Sequence, residues 1–240
     1  MSGRDPGPFA LEAVGVAKRF GRITALRSVD LAVREGSVTA LFGHNGAGKS
    51  TFLRIAAGLM RASGGHLRIA GRDAVKEAAA IRGRIGMVSH QLFLYEDLTA
   101  LENLRFYGHL YGIERLEERC REVLDQVELS HRATSRTRHF SRGMAQRLAI
   151  ARAFLHRPQI LLLDEPYTGL DRRAVGRLNE LIGRFREDHH TVLLTTHDHQ
   201  LGFAMATDVA ILRRGEVIHA SSAGELSEAE FNALYERSLQ

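Results

Sequence analysis

The chain has 240 residues, 44 % hydrophobic and 25 % charged, the make-up of an ordinary globular protein with room for one large domain or two small ones sharing a core. Its 33 basic and 28 acidic side chains leave a formal charge of +5. That excess suits weak attraction to a nucleotide or an anionic membrane face and is too small to argue for nucleic acid.

Cys120 stands alone, so an intrachain disulfide and a cysteine-built metal site are both excluded. No run approaches the about 18 uninterrupted apolar residues of a membrane span. The start, MSGRDPGPFALE, lacks the basic-then-apolar order of a signal peptide. Work at a membrane would therefore need recruitment by a partner.

In chain order, residues 1–8 are rich in Gly, Pro and charge and read as a loose terminus. β-type runs follow at 9–17, 25–33 and 37–42, the last two joined by a Glu35-Gly36 turn. A helix is expected from Lys49 to about Leu59, then strands at HLRIAG (66–71) and RIGMVS (84–89). From about residue 97 the pattern turns helical. Thr99 and Glu102 form a capping-box pair opening a helix to about residue 112. ERLEERCREVLDQVEL (114–129) puts Leu116, Val123, Leu124 and Val127 on one face. A third helix follows Ser141, with Met144, Leu148, Ala151 and Leu155 as its buried stripe and Pro158 as its stop.

Strand-helix alternation then resumes: strand 159–164, helix 171–187, strand 191–196, helix 199–206, and strands 208–214 and 216–220. The tail, 223–240, reads as a helix of unassigned purpose. Alternation around nearly all-apolar strands implies an α/β fold with a buried, mainly parallel sheet. One domain is expected over 9–222, with a helical subdomain inserted at about 92–157.

The strongest chemical signal is GHNGAGKST, 43–51, which fits G-x-x-x-x-G-K-[ST] between a β-run and a helical run. Gly43, Gly46 and Gly48 let the backbone curl so that amides point inward, and the following helix adds its positive end. Lys49 can reach β- and γ-phosphates, Ser50 can ligate Mg²⁺, and His44, Asn45, Ala47 and Thr51 complete the loop. ILLLDE, 160–165, is a strand with Asp164 at its carboxyl end, where open α/β sheets bind ligands. Asp164 is read as a Mg²⁺ residue. Glu165, expected to point the opposite way on an extended chain, is read as the group for the attacking water. A chance Gly-rich turn and a surface Asp-Glu pair are the bland alternatives, and both fit the flanking strands poorly.

In order and separation, the cradle, FSRGMAQRLAIARA (140–153), ILLLDEP, TGLD (168–171) and TTHD (195–198) resemble an ABC-transporter nucleotide-binding domain over roughly 9–220. That resemblance implies a P-loop ABC-type fold with an antiparallel β region and an inserted α-helical subdomain. It also implies hydrolysis of ATP with Mg²⁺. Ser141, Arg142, Gly143 and Met144 would contact ATP held by a second copy, although FSRGM departs from the family's LSGGQ at three of five positions. Ser141 and Gly143, the hydroxyl-bearing cap and the residue permitting close backbone approach, are kept.

By the same resemblance Phe20 stacks on adenine, Gln91 reaches Mg²⁺ and the attacking water, Asp171 crosses the dimer interface and His197 contacts the γ-phosphate. By themselves Phe20 reads as core, Gln91 as a loop residue and Asp171 as a helix cap. The remaining histidines, including the pairs 189–190 and 197/199, read as surface or loop groups rather than metal ligands.

Partners implied are transmembrane subunits, docked at LFLYEDL (92–98), a segment that reads equally as packing of the helical block onto the core, and a second ATP-binding subunit, giving a peripheral protein on the cytoplasmic face of the inner membrane. More finely, residues 84–113, 140–158 and Tyr167 resemble the ATP-binding subunit of Ccm-type haem exporters of cytochrome c maturation. The rivals are a transporter ATPase for a drug, lipid or ion, a non-transport ABC ATPase, and a P-loop kinase or GTPase.

Overall fold

The computed structural model describes residues 9–187 and 189–239; the terminus expected to be loose, 1–8, lies outside them. β1 (Phe9–Phe20) and β2 (Ile23–Arg34) pair antiparallel in a hairpin turned at Gly21. The Glu35-Gly36 turn leads on to β3 (Val38–Phe42), all five residues of which are buried. β2 and β3 are not neighbours: β2 lies between β1 and β10, β3 between β8 and β9. The turn therefore carries the chain from an antiparallel half of the sheet into a parallel half.

Next come α1 (Lys49–Ala56), β4 (Gly64–Ile69), β5 (Arg72–Asp73), α2 (Ala78–Arg82) and β6 (Ile85–Val88). α1 stops three residues short of the expected Leu59. Gly58 takes φ 69° and the amides of Gly58 and Leu59 turn back to Ile55 and Arg54, a left-handed helix stop.

The helical block is α3 (Ala100–Leu110), α4 (Leu116–Gln126) and α5 (Arg142–Phe154). The capping box forms: Glu102 N–H donates to Thr99 Oγ1 at 3.2 Å and Thr99 N–H to Glu102 Oε2 at 2.7 Å. Arg119 on α4 donates to the Phe154 and Leu155 carbonyls, closing α5 ahead of Pro158. Cys120 is fully buried between these helices, and desolvation pushes its thiol up to about 11.

β7 (Ile160–Asp164), α6 (Arg172–Glu187), β8 (Thr191–Thr196), α7 (His199–Met205), β9 (Asp208–Arg213), β10 (Glu216–Ser222) and α8 (Glu228–Leu239) complete the chain. Among the described residues ten strands form one sheet, ordered β5-β4-β1-β2-β10-β9-β3-β8-β7-β6. β9, β3, β8, β7 and β6 run parallel. Because side chains alternate along a strand, one face takes Phe42, Leu163 and Leu194, packed under the helical block and α6. The other takes Leu41, Leu162 and Leu193, packed on α1 and the antiparallel strands.

The tail is helical, as expected, and joins the first of these cores. Phe231 is fully buried, its ring 4.7 Å from Phe42 and 4.8 Å from Phe203. Parallel pairing in register, Phe42 with Thr196 and Asp164 with Thr195, brings the carboxyl ends of β3, β7 and β8 to one edge. The site lies there.

Candidate active site

The loop after β3 lies so close to β2 that a Cβ at Gly48 would stand 2.6 Å from a Leu26 methyl and 2.7 Å from the Ala25 carbonyl. Gly48 also holds φ 111° and is the N-cap of α1, with no side-chain cap. Only glycine fits both demands. The first amides of α1 thus have no partner inside the helix and face an anion-sized bend. Lys49 is 5 % exposed. Its Nζ folds back to donate to the carbonyls of Gly43 at 2.5 Å and His44 at 3.2 Å. His44, Asn45 and Gly46 are exposed at the rim, Ala47 is buried and Thr51 half-buried.

Asp164, buried at the end of β7, accepts from Ser50 Oγ at 2.9 Å and from Thr195 Oγ1 at 2.8 Å. Glu165 departs from the extended conformation expected for it. Its φ is 51°, in the left-handed region, and its amide donates to the Thr195 carbonyl and hydroxyl, both at 3.1 Å. The two carboxylates do diverge, by a backbone turn rather than by strand alternation. A non-glycine residue there costs ~1 kcal/mol or more and persists because neighbours fix it.

The divergence decides the chemistry. Glu165 Oε2 accepts from the His197 ring Nδ1 at 2.8 Å and from its backbone amide at 3.3 Å. Oε1 is buried and makes no hydrogen bond, but the Lys49 ammonium stands 3.1 Å away. The contact is a charge pair without hydrogen-bond geometry. A buried carboxylate oxygen with unused accepting capacity is suited to orient a water. Ser50 Oγ and Asp164 offer the hard oxygen donors that Mg²⁺ prefers. The residues present thus fit both a polyphosphate and its metal.

Sequence reasoning missed Thr195, which is fully buried and bonds to both acidic residues. The available signal was a threonine pair closing the buried strand TVLLTT.

The remaining candidates divide. Phe20 is 46 % exposed near the tip of the hairpin, with Lys18 Nζ 5.0 Å from its ring centre, so it is not core. Gln91 is exposed; its carbonyl accepts from Ser89 Oγ, and its side chain makes no hydrogen bond to Ser50, Asp164 or Glu165. Ser141 caps α5, accepting from the Met144 amide at 3.3 Å, and stays exposed. Asp171 accepts from the Ala174 amide at 2.8 Å in the same way at α6. Both share a cleft with Arg142, Gly143 and Met144, away from the cradle. Within one copy, none of these hydrogen-bonds to the Lys49–Glu165–His197 chain. Tyr167 is buried, its hydroxyl donating to Asn179 Oδ1 at 2.9 Å. Its role is to pack α6.

A glycine cradle at a parallel-strand end, a buried lysine, a Ser-Asp pair and a Glu-His pair together define a P-loop nucleotide-hydrolysing protein. Comparison with known proteins narrows this. Residues 26–168 match the ABC transporter family model. The "ABC transporter ATP-binding protein NatA" of Bacillus subtilis (strain 168) is 36 % identical over 87 % of this chain and 86 % of its own. The "Probable sulfate/thiosulfate import ATP-binding protein CysA" of Chlorella vulgaris is 35 % identical over 90 % and 93 %. Among solved structures, the ATP-binding cassette MJ0796, dimeric in a post-hydrolysis state bound to ADP and Pi, superposes with a TM-score of 0.80. It is 31 % identical over 89 % of this chain and 98 % of that one. The chain belongs to the ABC transporter family: it is an ATP-binding, ATP-hydrolysing subunit with the ABC ATPase fold.

Proposed function

We propose that this subunit powers export through partner membrane subunits, two copies closing on two ATP molecules and parting after hydrolysis. The observation that carries the site is the chain from buried Lys49 through Glu165 to His197. Lys49 neutralises the terminal phosphates, and the amides that open α1 bind them. Glu165 orients the attacking water through Oε1. His197 fixes Glu165 through Oε2 and reports on the γ-phosphate beside it. Ser50 and Asp164 would hold Mg²⁺, which supplies charge neutralisation for the leaving phosphates; Gln91 would join them on closure. Phe20 offers an exposed ring for adenine.

Ser141, Arg142 and Asp171 are exposed, Gly143 and Met144 half-buried, and all five line a cleft away from their own cradle, which suits contact with ATP held by a second copy. The CysA name concerns import, and export here is drawn from the sequence resemblance. So is haem as cargo, from 84–113, 140–158 and Tyr167. The buried Tyr167 has no access to a cargo, whose contacts would belong to the membrane subunits.

Those subunits have a matching surface. Phe93, Tyr95 and Phe106 are 50 %, 48 % and 39 % exposed on one side of the helical block. Their loop is held from beneath: the fully buried Asn103 accepts from the Tyr95 amide at 2.8 Å and donates to the Tyr95 carbonyl at 3.0 Å. A rigid aromatic platform suits an inserted partner helix. No helix of the described residues is long and apolar enough to cross a membrane, so a position on the cytoplasmic face of the inner membrane would be reached through such partners.

Glu165→Gln tests the cycle. It should bind ATP, lose turnover by ~10²-fold or more, and run as a nucleotide-dependent dimer on size exclusion. A variant that stays monomeric at every ATP concentration, with membrane subunits present, would contradict the sandwich.

A further inference from the structure

We propose that Tyr235, carried by the last helix, is a positioning residue of the ATP site, bracing the phosphate loop against the segment that holds the switch histidine. The proposal rests on the ATP-site reading above. It concerns a part of the chain beyond the residues matched by the family model, which end at 168.

Tyr235 is 5 % exposed, on the face of α8 that packs into the core. Its ring lies near-parallel to two imidazoles. His44, the second residue of the phosphate loop, lies 6.4 Å away at an interplanar angle of 25°. His199, the first residue of α7, lies 5.5 Å away at 29°. From below, Phe42 meets the same ring edge-on at 6.1 Å, at the very end of the strand that delivers the loop. One side chain therefore has ring neighbours on both walls of the site: the loop that ends in Lys49 and the turn two residues beyond His197.

Those two walls carry the groups that must meet. Lys49 and His197 both approach Glu165, one at each carboxylate oxygen. Ahead of Glu165 the two walls are joined through Asp164, which accepts from Ser50 and Thr195; on the side of α8 they have a further link in Tyr235. Its phenol is pushed up by burial and by the Glu165 charge, consistent with a ring lying at the back of the site. His44 and His199 thereby acquire a role as ring partners rather than as metal ligands.

A brace acts on geometry and not on binding, since the phosphate-binding amides and Lys49 are anchored independently by β3 and by the Gly43 carbonyl. Tyr235→Ala should lower kcat about tenfold, because small misplacements of catalytic groups carry rate penalties of that order or more. KM for ATP and nucleotide affinity should move by less than about twofold. Tyr235→Phe keeps the ring and should restore most of the turnover. Tyr235→Leu, which fills the core without a flat ring, should resemble Tyr235→Ala in kcat while melting closer to the parent. All three are measured on full-length chain well below each variant's melting temperature.

If Tyr235→Ala and Tyr235→Leu lower the melting temperature yet keep the parent kcat, the ring only fills the core and the proposal falls. Should Tyr235→Ala fail to fold, Tyr235→Leu against Tyr235→Phe decides alone: equal kcat overturns the brace. Glu165→Gln, assayed alongside, separates the two failures. Unaltered turnover in Glu165→Gln would sink the ATP-site reading itself, whereas its loss with full activity in Tyr235→Leu would sink the brace only.

Discussion

The strand-end site and the helical block are built on opposite principles. At the strand ends, function comes from backbone: glycine turns, a helix start, the register of β3, β7 and β8, and charges fixed to them within one or two residues. In the helical block it comes from long side chains crossing between segments. Arg152 reaches from α5 to the Met87 carbonyl and lies 5.0 Å from the Tyr107 ring, while Asn103 ties down the 92–98 loop. The first arrangement tolerates no movement during chemistry. The second offers a stiff surface that can be shifted as a body.

Lys49→Ala should break the first region most severely. The site would lose its only buried ammonium among the described residues, and steady-state hydrolysis should fall ~10²–10³-fold. Retention of more than about a tenth of parent turnover would mean that Lys49 does not meet the terminal phosphates.

In the second region, Asn103→Ala strips the Tyr95 backbone of two part-buried hydrogen bonds. Chemical denaturation should show ~1–3 kcal/mol lower stability, with kcat of the isolated chain within about twofold of the parent. A collapse of basal hydrolysis in a folded Asn103→Ala chain would deny that the two regions are separable.

The smallest effect concerns His156, which stacks on Tyr111 at 4.0 Å and whose Nε2 donates to the Ile85 carbonyl at 3.0 Å. Its Nδ1 is buried without a partner. Burial first, and then the nearby Arg152 and Arg119 charges, hold its pKa below the ordinary 6.5. The unfolded chain therefore takes up a proton that the folded one resists. His156 contributes stability above pH ~6.5, lost as pH falls toward the folded value. His156→Gln should show a smaller drop in melting temperature between about pH 7.5 and 5.5 than the parent. An equal or steeper drop would contradict this.

The same contrast explains what was legible in the sequence. Lys49, Ser50, Asp164 and Glu165 could be read from motif and spacing because a phosphate loop and a strand end call for those residue types there, His197 came only through the family resemblance, and the structure brings all five together. The conformation of Glu165 could not, since strand alternation and a left-handed turn both separate adjacent carboxylates. Thr195 was hidden because a threonine at a strand end reads as ordinary β-propensity.

Asn103 looked like one more polar residue on an amphipathic helix, its partners lying outside that helix's own periodicity. Tyr235 was hidden more deeply: nothing local says that a ring near the end of the chain will lie against a histidine near its beginning. Element types came through well because period and apolar runs are local, and boundaries slipped where a single glycine, such as Gly58, ended a helix.

The most direct test of the account is a structure of Glu165→Gln bound to ATP and Mg²⁺. Two copies should enclose two nucleotides, with Ser141 Oγ of one copy within ~3 Å of a γ-phosphate oxygen gripped by Lys49 of the other. Ser141 facing solvent, with no second copy across the nucleotide, would contradict it.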